Sequence, residues 1–315
     1  MLREYQIDAE SAVARTGEPG TRAPMLGSLE FDADTLRANY NRKAFPFRHR
    51  LAGHPRLAIP ELIKLARRLP ADCLHQHRAE VTMGDDFYNA AASHPSNCAI
   101  EETIERIEVA NSYVMLRNPH VDPEFGAFLA PLWEEIGRLV DPFDPGRTDH
   151  MSFVFIASPG AVTPFHLDRV SNFHLQIQGE KTIYLWDPYD RESVTEEDLA
   201  HCVAEPRTFH APFRPELMAR AVPFLQRPGL GVHHPWGAPH AVECGSEVSV
   251  SLSINFRSDE MKRRIALHEL NHRLRRLGLT PVGVGQSPWR DALKFLALRG
   301  YRSVKEKLRG KTAEE

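Results

Sequence analysis

Residues 162–181 read VTPFHLDRVSNFHLQIQGEK, and the second half of this stretch indicates the class of fold. Polar and apolar residues alternate there: one side carries Asn172, His174 and Gln176, and the other carries Phe173, Leu175 and Ile177. An alternation with a period of two is typical of a β-strand whose two faces have different surroundings. We therefore expect a strand whose polar face borders a space lined by other polar groups.

A second strand with the same pattern is expected from Val248 to Phe256. Its polar side carries Ser249, Ser251, Ser253 and Asn255, and these alternate with apolar residues. Two such strands predict a mainly β barrel that encloses a polar lumen and has an apolar exterior covered by helices. A jelly roll is a compact way to build this barrel.

The first half of the quoted stretch contains a candidate metal site. Alternate residues of an extended segment point to the same side, so His166 and Asp168 can reach a single ion. His240 follows 72 residues after Asp168 and can supply a second imidazole. Two imidazoles and one carboxylate on one face of a metal leave other coordination positions open, as in non-haem iron(II) oxygenases.

The order of residues around this site resembles a known family. The pattern TPxHxD, from Thr163 to Asp168, is followed by Asn172, by GxK ending at Lys181, by Pro239-His240 and by residues 253–256, which read SINF. Residues 152–257 are similar in this order to the JmjC and cupin-like Fe(II)- and 2-oxoglutarate-dependent oxygenases, and most similar to the asparaginyl hydroxylase that acts on hypoxia-inducible factor. The resemblance implies a double-stranded β-helix with flanking N- and C-terminal helices.

The resemblance also implies an activity. His166, Asp168 and His240 would be the catalytic metal ligands and would hold Fe(II). The protein would be a dioxygenase that uses O2 and 2-oxoglutarate to hydroxylate a side chain of a protein or peptide, with release of succinate and CO2.

Further residues would bind the co-substrate if the resemblance holds. Lys181 would pair with the distal carboxylate of 2-oxoglutarate, Thr163 would hydrogen-bond that carboxylate, and Asn172 and Asn255 would line the pocket. A dicarboxylate that enters a walled cavity loses hydration, and the cation of Lys181 can compensate for this loss. Tyr113 is a candidate for the tyrosine that contacts the co-substrate in relatives.

Alternatives to protein hydroxylation remain open. The same fold can oxidise a small molecule or remove an N-methyl group after hydroxylating it. A non-catalytic regulatory protein is a further alternative, because residues 261–315 carry 14 Lys or Arg against 5 Asp or Glu and could contact nucleic acid. We favour the solvated faces of amphipathic helices as the explanation of this charge, and so do not expect nucleic acid as a partner.

Two helices are expected at the C-terminal end, from Asp259 to Leu277 and from Pro288 to Leu308. Their apolar stripes are larger than a small helix pair buries alone; the second stripe comprises Trp289, Leu293, Leu296, Tyr301, Val304 and Leu308. We therefore expect a homodimer, and the resemblance points the same way because related hydroxylases pair through helices that follow the barrel.

A competing motif lies in the first of these helices. His268-Glu269-Leu270-Asn271-His272 matches HExxH, in which two histidines bind zinc and the glutamate acts as a base. The leucines at positions 267, 270, 274 and 277 predict an apolar stripe on the opposite side, which would leave both histidines in solvent. A zinc protease is therefore not expected.

Three more histidines lie near the candidate site in sequence. His174 shares the face of Asn172 and is expected to contact substrate, to support the metal ligands or to be an ordinary interior histidine. His233 and His234 are expected to form the loop that orients His240, without binding metal.

The remaining features concern organisation. We expect an N-terminal arm at 1–44, an α+β region at 45–150 that packs on the barrel, the barrel at 151–258 and a helical region at 259–315. Within the second region, helices are expected over 58–69 and 123–140 and a strand over 112–116. No apolar run is long enough to cross a bilayer, so a cytoplasmic protein is expected, and the four scattered cysteines favour free thiols.

Overall fold

The computed structural model describes residues 27–206 and 208–311. The strands are β1 (Leu29–Glu30), β2 (Phe45–His49), β3 (Leu74–Arg78), β4 (Ser112–Arg117), β5 (Thr148–Ala157), β6 (Val162–Leu167), β7 (Ser171–Gln178), β8 (Lys181–Leu185), β9 (Val222–Gln226), β10 (Leu230–His234), β11 (Pro239–Cys244) and β12 (Ser249–Arg257). The α-helices are α1 (Ala33–Asn39), α2 (Ile59–Arg68), α3 (Ala90–Ser93), α4 (Ile100–Glu105), α5 (Pro123–Val140), α6 (Glu196–Ala204), α7 (Asp259–Arg276) and α8 (Pro288–Lys311).

The strands form two antiparallel sheets. The larger sheet has eight strands in the order β1-β2-β10-β7-β12-β5-β4-β3, and the smaller has four in the order β6-β11-β8-β9. The expected mainly β fold with helices around it is confirmed. The metal-ligand candidates lie at the smaller sheet, and the alternating strands β7 and β12 lie side by side in the larger sheet.

The alternation along β12 follows from the different surroundings of its two faces. Val250, Leu252 and Ile254 are fully buried in the main hydrophobic core. Ser249 and Ser253, from the opposite face, line a cavity. The sequence pattern therefore predicts correctly which side of this strand packs against the apolar core.

Helix α5 forms as the sequence predicts. Pro123 occupies its first turn, where a missing N–H is tolerated, and the carboxylate of Asp122 accepts a hydrogen bond from the Phe125 amide at 2.9 Å. Arg68 at the end of α2 also contacts this carboxylate, with Nε 2.6 Å from Oδ2. One aspartate thus caps α5 and links it to α2.

The N-terminal segment differs from the expected arm in its described part. Leu29, Leu36 and Tyr40 are buried in the main core. The buried carboxylate of Glu135 on α5 accepts hydrogen bonds from the amides of Ser28 and Leu29, each at 2.9 Å. From residue 27 onward this segment is therefore a packed part of the protein; residues 1–26 of the expected arm lie outside the described part of the chain.

The segment expected as an α+β region contributes strands to the larger sheet. Strand β4 pairs directly with β5 across the boundary expected near residue 150, and β2 pairs with β10. These pairings are between segments distant in sequence, and local alternation does not predict them.

The prediction that the two histidines of the HExxH helix, α7, lie in solvent was wrong. His268 is buried, with Nδ1 3.3 Å from Oε1 of Glu196 and its ring 5.5 Å from the Trp236 ring, whereas Leu277 is exposed. Helix α6 packs against α7 and covers the side that was expected to be solvated. His272 lies 3.3 Å from Glu205, so the motif serves helix packing.

Helix α8 leaves much of its apolar stripe uncovered. Trp289, Leu293 and Leu296 are each more than half exposed. The side chains of Val304 and Leu308, expected in the same stripe, lie outside the described part of the chain. No helix among the described residues is long and apolar enough to cross a membrane.

Candidate metal centre

A cavity of about 490 Å³ lies against the polar faces of the two sheets. Six of the seven residues expected to form the site line it: Thr163, His166, Asp168, Asn172, Lys181 and His240. Residues from the whole length of the sequence motif, from Thr163 to His240, therefore line one cavity. Its walls also contain aromatic side chains, among them Phe87, Phe153 and Phe155.

The pairing of β6 with β11 places the two candidate histidine ligands together. His240 lies directly opposite His166 in this antiparallel pair, and their ring centroids are 4.0 Å apart. Asp168 follows the end of β6, and its Oδ2 lies 3.7 Å from Nε2 of His240. One ligand atom from each of the three side chains lies within 4.8 Å of the others, so all three can bind one ion.

Backbone hydrogen bonds set the orientation of both imidazoles. Nδ1 of His166 lies 2.8 Å from the carbonyl oxygen of Pro164, and Nδ1 of His240 lies 3.1 Å from that of Ala238. A carbonyl oxygen accepts only, so each Nδ1 carries the proton and donates it. Each Nε2 therefore presents a lone pair, which is the tautomer that a metal requires.

The site fits a divalent metal in its electrostatics as well. The pKa of His166 lies well below its usual range, mainly because the ring is buried and also because His240 is close, so this imidazole stays neutral. The Phe87 ring stacks on the His166 ring at 3.7 Å and restricts its rotation. A neutral, oriented imidazole binds a metal without first losing a proton.

Lys181 lies in the same cavity, where a tight turn positions it. Gly179 has φ of +68°, and a Cβ on it would lie 2.3 Å from the carbonyl oxygen of Val248, so glycine is needed both for the conformation and for the close approach. The turn leads into Lys181 at the first position of β8. The lysine is 5% exposed.

The Lys181 cation has no carboxylate partner within the part of the chain that the structure describes. Its Nζ donates to Oγ of Ser251 at 2.7 Å and lies 6.0 Å from the centre of the Phe155 ring. Burial lowers the pKa of Lys181 to about 8. A buried cation bonded only to neutral groups is costly unless an anion joins it, so this end of the cavity suits a carboxylate.

Tyr113 and Thr163 line the same cavity as this cation. Tyr113 comes from β4, outside the sequence motif. Burial raises the pKa of Tyr113, so its hydroxyl stays protonated and can donate. A lysine and two hydroxyls together fit one carboxylate group, and three separate strands supply them.

The two asparagines expected in the pocket have different positions. Asn172 lines the cavity, and its Oδ1 accepts a hydrogen bond from Ser253 Oγ at 2.8 Å. Asn255 is not among the residues that line the cavity, and its side-chain amide donates to Ser253 Oγ at 2.9 Å. Asn255 therefore supports the serine that orients Asn172.

The prediction of a loop at His233 and His234 was wrong, because these are the last two residues of strand β10. His233 points away from the cavity; its ring packs on Tyr40, and its Nδ1 lies 3.0 Å from the carbonyl oxygen of Asn172. His234 and His174 both line the cavity. Sequence reasoning did not give His234 this position, although its place beside the alternating strand β7 is consistent with it.

Comparison with known proteins gives structural likenesses only. No family model matches the sequence, and no curated protein is significantly similar to it. Among solved structures, Escherichia coli YcfD has 18% identity and a TM-score of 0.47, with 82% of this chain and 62% of that chain covered. The ribosomal oxygenase YcfD with cobalt and succinic acid has 17% identity, a TM-score of 0.47 and coverage of 83% and 61%.

A further structure of the same Escherichia coli ribosomal oxygenase, with cobalt and 2-oxoglutarate, has 16% identity, a TM-score of 0.46 and coverage of 83% and 61%. The chain thus spans about three fifths of the length of the solved structures that it matches.

Proposed function

We propose that this protein is an Fe(II)- and 2-oxoglutarate-dependent dioxygenase of double-stranded β-helix fold that hydroxylates a side chain of a protein or peptide. One observation carries the proposal: the His166, Asp168 and His240 cluster lines the same cavity as a buried lysine that has no carboxylate partner among the described residues. A metal site alone fits many functions. A metal site that shares its cavity with an unneutralised cation fits a chelating acid whose second carboxylate reaches that cation.

Each group in the cavity has a defined task under this proposal. His166 Nε2, His240 Nε2 and the Asp168 carboxylate hold Fe(II), and three ligands on one face leave the other positions to 2-oxoglutarate and O2. Lys181, Tyr113 and Thr163 hold the distal carboxylate. Iron, 2-oxoglutarate and O2 bound there would supply the oxidation of a C–H bond, in which one oxygen atom enters the product hydroxyl and the other enters succinate as CO2 is released.

The cavity wall supports this chemistry by limiting water. Phe87, Phe153 and Phe155 contribute apolar surface around the polar groups. Exclusion of water strengthens the pairing of Lys181 with a carboxylate, because the interaction of opposite charges grows as the local dielectric constant falls.

The outer part of the cavity supports a polymeric substrate. Exposed side chains from separate segments line it, including Tyr88, Ala91 and Arg117. Arg169, which follows the metal ligand Asp168, lines it too, and neither arginine has a carboxylate partner among the described residues. An opening bordered by two guanidinium groups that have no carboxylate partner among the described residues suits a side chain of another protein that has acidic neighbours.

The experiment that tests the proposal measures succinate. Protein reconstituted anaerobically with Fe(II) is exposed to O2 and 2-oxoglutarate, first alone and then with pools of acidic, neutral and basic peptides of equal length. We expect slow succinate formation alone and faster formation with acidic peptides, together with a mass increase of one oxygen atom in a peptide.

Other outcomes separate the alternatives. Formaldehyde release from methylated peptides would indicate N-demethylation, and stimulation by small molecules alone would indicate a small-molecule oxygenase. A salt-dependent affinity for DNA without succinate under any condition would contradict the proposal and favour a non-catalytic protein.

A further inference from the structure

Two histidines on the cavity wall have no role in the function proposed above. His174 on β7 is 4% exposed, and His234 on β10 is 3% exposed. Nε2 of His174 and both ring nitrogens of His234 are buried without a hydrogen-bond partner among the described residues. Buried polar atoms in proteins are almost always bonded, so three unbonded nitrogens on one cavity wall point to a ligand or to ordered water.

A series of ring contacts runs along this part of the cavity wall. The His174 ring is 6.1 Å from the Phe155 ring, over which the Lys181 cation lies, and 5.8 Å from the His234 ring. The His234 ring is in turn 4.9 Å from that of His240. A molecule that extends along this wall between the metal ligands and Lys181 would therefore contact these imidazoles.

His233 shows that a histidine on the same strand can be satisfied by the protein alone. It is fully buried, its Nδ1 lies 3.0 Å from the Asn172 carbonyl oxygen, and its Nε2 accepts from the Asn41 amide at 3.2 Å. His234, the next residue, has no hydrogen-bond partner at either ring nitrogen in the part of the chain that the structure describes. The difference between the two neighbours lies in the face of the strand, because only His234 faces the cavity.

An imidazole carries at least one N–H donor in either protonation state. Both rings line the cavity and have buried ring nitrogens without a hydrogen-bond partner among the described residues. The wall therefore offers a donor from each of the two rings.

We infer that His174 and His234 donate hydrogen bonds to the 2-oxo acid that Lys181 anchors, and so act as co-substrate-binding residues outside the family motif. The inference rests on the proposed function. 2-Oxoglutarate has five oxygen atoms, and chelation of the metal together with pairing of the distal carboxylate with Lys181 does not use all of them. Oxygens that face the β7 and β10 wall would otherwise lose their hydration without compensation.

The test measures the dissociation constant of 2-oxoglutarate by anaerobic calorimetry on Mn(II)-loaded protein. We expect His174→Phe and His234→Leu each to weaken binding about 3- to 10-fold, as the loss of one hydrogen bond predicts. His174→Gln and His234→Gln retain a donor and should recover most of the affinity. His233→Gln is the matched control, with equal burial on the opposite face, and should bind 2-oxoglutarate as the wild type does.

A second measurement needs no variant. In Zn(II)-loaded protein with ¹⁵N-labelled histidine, addition of 2-oxoglutarate should shift the imidazole N–H signals of His174 and His234. Unchanged signals, or unchanged affinity in the Phe and Leu variants, would overturn the inference and leave ordered water as the partner of these rings. Wild-type protein that binds Mn(II) but no 2-oxoglutarate would instead contradict the proposed function itself.

Discussion

The Nζ atom of Lys181 lies 2.7 Å from Oγ of Ser251, so the first partner of this buried cation is a neutral hydroxyl. A hydroxyl supplies a hydrogen bond but no compensating charge. The buried cation can therefore pair with an incoming carboxylate, and until it does so it destabilises the folded protein. At this position a charged lysine favours the binding of a carboxylate but lowers the stability of the protein without a ligand, and this cost can be measured.

Replacement of Lys181 with Met should stabilise the metal-free protein at pH 7. Burial lowers the pKa of Lys181 from 10.5 to about 8, which corresponds to a destabilisation of about 3 kcal/mol while the lysine is charged. Urea unfolding should show a gain approaching this size for Lys181→Met. Lys64→Met, at an exposed site paired with Glu61, should change the free energy of unfolding by less than about 0.5 kcal/mol.

The same pKa fixes how the effect depends on pH. Between pH 8 and 10.5 the unfolded lysine holds a proton that the folded one has lost, so the stability of the wild type rises with pH in this window. Below pH 8 both states are protonated and the contribution is constant. A difference between wild type and Lys181→Met that does not shrink from pH 8 to 10 would contradict this assignment.

Affinity for 2-oxoglutarate should fall as the pH rises above 8. The free lysine loses its proton in this range and must regain it to pair with the carboxylate, so the dissociation constant should rise about tenfold per pH unit. Lys181→Arg should flatten this dependence, because a guanidinium stays charged. Calorimetry of Mn(II)-loaded protein between pH 7 and 9.5 is the measurement, and a flat wild-type profile is the contrary result.

Removal of one metal ligand should abolish the metal site without unfolding the protein. His240→Ala should lose metal affinity by more than the roughly 10- to 100-fold that changes outside the ligand shell cost. His120→Ala is the control, since this ring bonds to Ser152 through Nδ1 and is not part of the ligand cluster. Metal content after dialysis, together with succinate formation, distinguishes the two; retained metal in His240→Ala would exclude it as a ligand.

The turn before Lys181 can be tested with a pair of glycine variants. Gly160 and Gly179 both have positive φ, +71° and +68°, but a Cβ meets nothing within 4 Å at Gly160 and lies 2.3 Å from a carbonyl oxygen at Gly179. Gly160→Ala should cost about 1–2 kcal/mol for the left-handed conformation alone. Gly179→Ala should cost clearly more in urea unfolding, and equal losses would show that the close approach is relieved without strain.

Self-association through α8 is the remaining prediction on quaternary structure. Trp289, Leu293 and Leu296 are 62%, 57% and 62% exposed and form an apolar surface on one helix. Analytical ultracentrifugation at micromolar concentration should show a dimer, and Leu293→Glu should convert it to a monomer. A monomeric wild type at this concentration would contradict the predicted dimer.

Much of the site could be predicted from sequence because its signals are local. His166 and Asp168 lie two residues apart on a strand, and the alternation along β7 and β12 identifies the faces that border the cavity. The convergence of His240 on His166 was expected from the family resemblance. Its physical cause, the direct opposition of the two residues in the β6–β11 pair, appears only in the structure.

The parts that were missed depend on contacts between distant segments. The burial of His268 follows from the packing of α6 on α7, which no property of the HELNH segment reveals. The cavity position of His234 depends on the pairing of β10 with β7. Packing partners decide the environment of a side chain, so a helical stripe or a short motif read by itself can place a residue on the wrong face.

We propose that one cavity holds a ferrous ion at one end and the distal carboxylate of 2-oxoglutarate at the other. The decisive measurement is a crystal structure of the protein with Mn(II) and 2-oxoglutarate, prepared without oxygen. We expect metal density bounded by His166, Asp168 and His240, with the acid extending to Lys181. Metal bound elsewhere, or an acid whose distal carboxylate lies away from Lys181, would contradict it.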